Sequence, residues 1–293
     1  MQAIQESSTA FGGIVGASSR REPTFAPFLT FFLLAGASFA GLFFLVPESG
    51  PHLSSLVAQA FAVTCVWMLE EMFPTRDFEP PAMTSPHAHS KLGWNLWSVI
   101  TRPVRIIRDS RDHVYWKEAF VVVLANAALG IVLLAWLVRR VDFTALSAAA
   151  QGIPVSRVFF LSSVLNILTV QVGGWPLQAF LVFCLVTILN GSADLGFYVR
   201  LVGLAYVGYL LLTIALALVN PVMLPAGVGV NEVNALTQSI HPLMGKLAEL
   251  WVLTLLAYGV AVREKFGLLK SLAAAIGPGF LLLSTKLAYD LFT

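Results

Sequence analysis

Apolar residues in this chain fall in long unbroken runs, and short polar or proline-containing joints separate the runs. About 20 helical residues span roughly 30 Å, the thickness of a bilayer's hydrocarbon core. On that measure the pattern predicts membrane spans over about 26–46, 54–73, 116–138, 175–191, 201–219, 246–262 and 271–289. The apolar material from Val155 to Asn190 is too long for one simple span, and Gln171-Val172-Gly173-Gly174-Trp175-Pro176 interrupts it. Residues 155–172 are therefore expected to form a re-entrant or interfacial helix ahead of the fourth span. The expected fold is an all-α integral membrane protein, a polytopic helical bundle of about seven spans.

The joints divide the chain into four parts. Residues 1–25 read as a polar cytoplasmic tail, and 26–74 as a two-helix transmembrane hairpin turned by Pro47-Glu48-Ser49-Gly50-Pro51. Residues 75–115 read as a cytoplasmic linker whose first part carries Pro80, Pro81 and Pro86, and 116–293 as a five-span bundle. Within the linker, residues 94–112 are amphipathic on a helical wheel. Leu96, Trp97, Ile100, Val104 and Ile107 fall on one side, and Asn95, Ser98, Arg102, Arg105 and Asp109 on the other. Pro103 is expected to split this stretch into two short helices, with Thr101 or Arg102 at the junction. A basic amphipathic helix with tryptophan suits the membrane interface, so Trp97, Arg102, Arg105 and Arg108 are candidate contacts to anionic lipid headgroups.

Composition agrees with the pattern. Hydrophobic residues make up 57% and charged residues only 12%, against a soluble norm of roughly 45–50% and 25%. Mean hydropathy is +0.80, which excludes a soluble enzyme, a disulfide scaffold, a nucleic-acid binder and a disordered chain. Cys65 and Cys184 lie inside apolar runs without a Cys or His neighbour and read as buried thiols. Arg20-Arg21 ahead of the first run resembles a twin-arginine export signal, but about 20 apolar residues exceed a signal peptide's core. An uncleaved first span is the reading; cleavage near Ala35-Gly36-Ala37, whose small residues suit a signal peptidase, is the alternative.

The net charge of +2 says little, whereas its distribution sets a topology. With the N-terminus inside and seven crossings, Arg20, Arg21, Arg76, Lys91, Arg102, Arg105, Arg108, Arg111, Lys117, Arg200, Arg263, Lys265 and Lys270 share the inner side. Only Arg139, Arg140, Arg157, Lys246 and Lys286 of the 18 basic residues stay outside. The C-terminus is then outside, and a bacterial inner membrane is the expected location.

From about residue 95 onward the layout resembles bacterial-type members of the Yip (Ypt-interacting protein) domain family. The resemblance rests on Thr101-Arg102-Pro103-Val104-Arg105-Ile106-Ile107-Arg108 before the span at Trp116. It rests also on Asn190-Gly191-Ser192-Ala193-Asp194-Leu195-Gly196-Phe197-Tyr198-Val199-Arg200 leading into Gly203-Leu204-Ala205-Tyr206. Trp251, Tyr258-Gly259 and Lys270-Ser271-Leu272 look like the family's last two spans. The resemblance implies five spans, a cytoplasmic N-terminus, an outer or lumenal C-terminus and a membrane-organising or trafficking-like role. The Asp-Leu-x-Gly-Pro element of eukaryotic members is absent, so small-GTPase binding is not carried over, and the two spans before residue 75 lie outside the resemblance.

Ionisable groups avoid the centres of the runs: Glu70 and Glu71 end span two, Lys246 and Glu249 begin span six, and Lys286 and Asp290 end span seven. Glu249 and Lys286 are expected to pair between the last two helices. Asn126 and Asn166 are expected to make interhelical hydrogen bonds, and Gly277-Pro278-Gly279 to kink span seven. His87 and His89 read as solvated linker, because no further ligand completes a metal site. Phosphate-binding, zinc-protease, hydrolase and dinucleotide motifs are absent, so neither catalysis nor a cofactor is expected. The expected function is non-catalytic, organising membrane or binding a membrane partner; expected partners are membrane lipids, with a membrane-protein partner or a homo-oligomer beside them. A small-solute or lipid transporter and an accessory subunit of a large membrane complex are the alternatives.

Overall fold

The structure is a computed structural model that describes residues 25–45, 57–66, 92–109, 115–144, 155–192, 194–224, 227–231, 233 and 241–292, some by backbone alone, including 282–292. The elements are α1 (Ala26–Leu45), α2 (Val57–Val66), α3 (Leu92–Thr101), α4 (Pro103–Asp109), α5 (Trp116–Arg140), β1 (Val141–Asp142) and α6 (Val155–Leu168). There follow α7 (Gly174–Ile188), α8 (Leu195–Ala205), α9 (Val207–Met223), β2 (Val228–Gly229), α10 (His241–Glu264) and α11 (Leu268–Phe292). Among the described residues four helical stretches are long and apolar enough to cross a membrane: Trp116–Arg140, Val155–Ile188, Leu195–Met223 and Pro242–Glu264. The helical membrane class thus stands, while seven crossings do not follow from these four.

The expected separate helix over 155–172 is corrected. α6 and α7 are one 34-residue helix, joined through a π-helical turn at Thr169–Gly173. Leu168, Gly173 and Gly174 all keep right-handed helical dihedrals, and the Gly174 amide reaches back five residues to the Thr169 carbonyl. The physical reason lies in Pro176, which has no N–H to donate and whose ring crowds the carbonyl four residues earlier. One wide turn containing Gly173 absorbs that misfit without breaking the helix. Gly277-Pro278-Gly279 likewise lies within continuous helix, inside α11.

Helix α10 is the central post, and its Leu250, Leu255, Leu256, Ala257, Tyr258, Val260 and Ala261 are wholly buried. Helix α1 packs on it through edge-on rings: Phe25 and Phe28 lie 5.2 and 5.7 Å from Tyr258, and Phe32 lies 5.1 Å from Trp251. Farther along α1, a Cβ on Gly36 would meet Leu247 at 3.3 Å, so the two helices run antiparallel. The first helix is therefore part of the bundle core.

These contacts, with others, collect one end of the bundle. The start of α1 and α4 both meet Tyr258, Arg200 of α8 stacks over Trp116 of α5, and Ser192 bonds Glu264 at the end of α10. Arg102, Arg105, Arg108, Lys117, Arg200, Arg263, Lys265 and Lys270 belong to the elements at this end. The other end holds Arg139, Arg140, Arg157 and Lys246, near a short parallel pairing of Val141–Asp142 with Val228–Gly229. There the Thr144 hydroxyl and, secondarily, its amide donate to Asp142 at 2.6 and 2.9 Å, which holds its carboxyl below the usual carboxylate range. The packing thus groups eight basic residues at one end of the bundle and four at the other.

Candidate functional site

Helices α3 and α4 lie against the basic end. Pro103 starts α4, and Arg102 fills the break: its amide still donates to Ser98, while its carbonyl accepts from Arg105 and Ile106. Val99, Ile106 and Ile107 are buried, with Ile100 and Val104 packed beside them. The apolar face differs from a single wheel drawn through 94–112, because Trp97 turns outward and is 60% exposed. Arg102 is exposed and Arg105 half-buried. Arg108 faces the bundle instead, and its Nε donates to the Tyr258 hydroxyl at 3.0 Å.

The neighbouring turn between α7 and α8 is built by local rules. Asn190 takes a left-handed φ of 64°, and the amides of Asn190 and Gly191 return to the carbonyls of Thr187 and Val186. This is a Schellman ending, which satisfies the last carbonyls of α7. A Cβ on Gly191 would lie 2.3 Å from the Val186 side chain and 3.1 Å from Glu264 Oε2, so the position requires glycine. Asp194 then caps α8 by accepting from the Phe197 amide at 3.1 Å.

Glu264 closes this turn onto α10. Its Oε2 accepts from the Ser192 amide at 2.5 Å, and its Oε1 accepts from the Ser192 hydroxyl at 2.7 Å and from the buried Tyr198 hydroxyl at 2.5 Å. Asp194 lies 3.5 Å from Arg263 and 4.0 Å from Arg200, a half-buried set of pairs. Arg263 also stacks over Phe197, at 5.0 Å. The end of the bundle is thereby a tied polar plate, with α3 and α4 beside it.

A second polar group lies between the helices. Asn126 of α5 is 1% exposed; it donates to Gln171 Oε1 at 2.8 Å and accepts from the Thr213 hydroxyl at 2.7 Å. Gln171 stands in the π turn. Thr213 can also donate to the Tyr209 carbonyl at 2.9 Å, so one hydroxyl proton is shared between two acceptors. Nearby, Tyr206 donates to Gln178 Oε1 at 3.2 Å.

Asn166, expected to bond between helices as Asn126 does, is exposed on α6 and has no hydrogen-bond partner among the described residues. Glu249 accepts from Lys246 of its own helix at 2.6 Å, and the side chain of Lys286 lies outside the described residues. Gly277 is a contact point, since a Cβ there would come within 2.6 Å of Leu185. His87 and His89 lie outside the described residues, Cys65 and Cys184 are free thiols, and no cluster of three potential metal ligands occurs among the described residues.

Sequence reasoning missed Gln171, Thr213, Tyr258 and Glu264 as partners. Asp194 carried a readable signal, an aspartate directly before an apolar helix. Glu264 carried none, because Ser192 lies 72 positions away. No family model matches this chain, and neither a curated protein nor a solved structure matches it.

Proposed function

We propose that this protein is a non-catalytic multi-pass membrane protein that organises membrane or binds a membrane partner through its basic end, as its resemblance to the Yip family implies. The observation that carries the reading is the α3–α4 pair. Val99, Ile106 and Ile107 anchor it to the bundle, while Trp97 and Arg102 remain exposed beside a concentration of basic residues. An exposed indole next to cationic groups matches the chemistry of the headgroup layer.

The test is gentle-detergent purification with mass spectrometry of the retained lipid and protein. Each basic side chain near an anionic surface contributes about 1 kcal/mol, so Arg102→Ala with Arg105→Ala should weaken retention of anionic lipid by roughly thirtyfold. Retention unchanged by the double substitution would defeat the reading. A stoichiometric protein partner would instead make the chain an accessory subunit.

One observation favours a transporter as second reading: the Asn126–Gln171–Thr213 group beside a π turn, where widened helix can present polar groups. Its three side chains already bond one another, which favours a structural role. Asn126→Leu is accordingly expected to cost about 1–2 kcal/mol, seen as a lower thermal midpoint with lipid retention intact. Unchanged stability would favour a polar site held ready for a solute.

A further inference from the structure

We propose that the outward face of α6 is a self-association surface, on which Asn166 pairs with the same residue of a second copy. No residue of α6 is buried, although the helix is apolar along most of its length. Its depth follows from its neighbour: Ile167 is 3.8 Å from where a Gly130 Cβ would stand. Gly130 lies about 21 Å along a helix of roughly 37 Å, so Asn166 sits well within the hydrocarbon zone.

An amide at that depth carries two N–H groups and a carbonyl that acyl chains cannot satisfy. The contrast with Asn126 is direct, because Asn126 has both Gln171 and Thr213 as partners. Ser162 on the same face is already satisfied, its hydroxyl donating to the Phe159 carbonyl at 3.0 Å. Among the described residues neither Asn166 nor the single hydroxyl of Thr169 on this face has a hydrogen-bond partner, and the Asn166 amide carries the larger unmet capacity.

The surroundings fit a helix pair. Ser162, Asn166, Thr169 and Gly173 follow one another at steps of four, three and four, and all four are exposed. From Ser162 to Thr169 that spacing is the 3.5-residue seam of two packed helices; Gly173 follows across the wide π turn, and a Cβ there would meet nothing within 4 Å. Two copies inserted with the same topology pair about an axis along the membrane normal, which sets each seam residue against its own counterpart. An asparagine both donates and accepts, so two of them can bond reciprocally. Arg157, the charged residue of α6, lies nine positions away, about 13 Å toward the helix start, and does not put like charges at the amide pair.

The proposal is independent of the lipid-contact reading and is tested separately, in liposomes holding the full chain. In a Cys65→Ala, Cys184→Ala background, Thr169→Cys should form a disulfide-linked dimer on oxidation. Val132→Cys, on the exposed face of α5, should not. Asn166→Leu should weaken dimerisation about three- to thirtyfold by single-molecule photobleaching at graded protein-to-lipid ratios, and Asn166→Gln should restore much of it. Crosslinking at position 169 no better than at 132, or a dimer fraction unchanged by Asn166→Leu, overturns the proposal. Capture of a different protein at position 169 in native membranes, without self-crosslinking, overturns it too.

Discussion

Glu264→Ala should destabilise the protein by about 3 kcal/mol, read as a clear fall in thermal midpoint in detergent. One carboxylate accepts the Ser192 amide, the Ser192 hydroxyl and the Tyr198 hydroxyl, and so ties the end of α10 to the turn before α8. Charge-assisted hydrogen bonds contribute roughly 1.5–3 kcal/mol each, but the two from Ser192 are exposed to competing water. The larger share comes from Tyr198, which is wholly buried and would keep a hydroxyl without its acceptor. Tyr198→Phe together with Glu264→Ala should therefore cost less than the sum of the two single substitutions. A strictly additive double mutant would show that the two side chains do not depend on each other.

Gly203→Val should be at least as damaging, because the space at Gly203 is closed on two sides by groups that cannot yield. A Cβ would stand 2.9 Å from the Ala119 Cβ and 3.2 Å from the Trp175 ring. Ala119 has no rotamer to change, and the Trp175 indole is held by its 2.6 Å bond to the Val199 carbonyl. Overpacking a filled interior costs typically 1–3 kcal/mol and occasionally more, and here the strain would part α8 from both α5 and α7. Gly245→Ala is the matched control: nothing lies within 4 Å of its Cβ, and alanine in a helix gains up to about 1 kcal/mol over glycine. A drop in folded yield for Gly203→Val, with Gly245→Ala at or above the parent, is the expected pattern. Equal behaviour of the two would show that α8 does not approach its neighbours this closely.

The two helices of 92–109 show how far local rules reach. Pro103 has no amide proton, so the break at Arg102 was legible from one residue. Which face would be buried was not, because the wheel assumes one continuous helix, and the bundle selected Val99 and Ile106 while turning Trp97 out. The stretch from Gln171 to Pro176 shows the opposite case. Its glycines and proline read as an interruption, yet neighbouring helices hold the segment in register, and the misfit becomes one π turn.

The sequence by itself determined the helical membrane class and the break at Pro103. Each of these follows from composition or from the chemistry of one residue, without knowledge of what touches what. Only the tertiary structure decided that Arg108 meets Tyr258, that Asn126 meets Gln171 and Thr213 while Asn166 has no hydrogen-bond partner among the described residues, and that Glu264 closes the turn at Ser192. In a bundle whose helices are apolar on nearly every side, hydrophobic periodicity no longer marks the inward face. The choice falls to close packing at Gly203 and Gly259 and to hydrogen bonds between residues tens of positions apart, which no local pattern encodes.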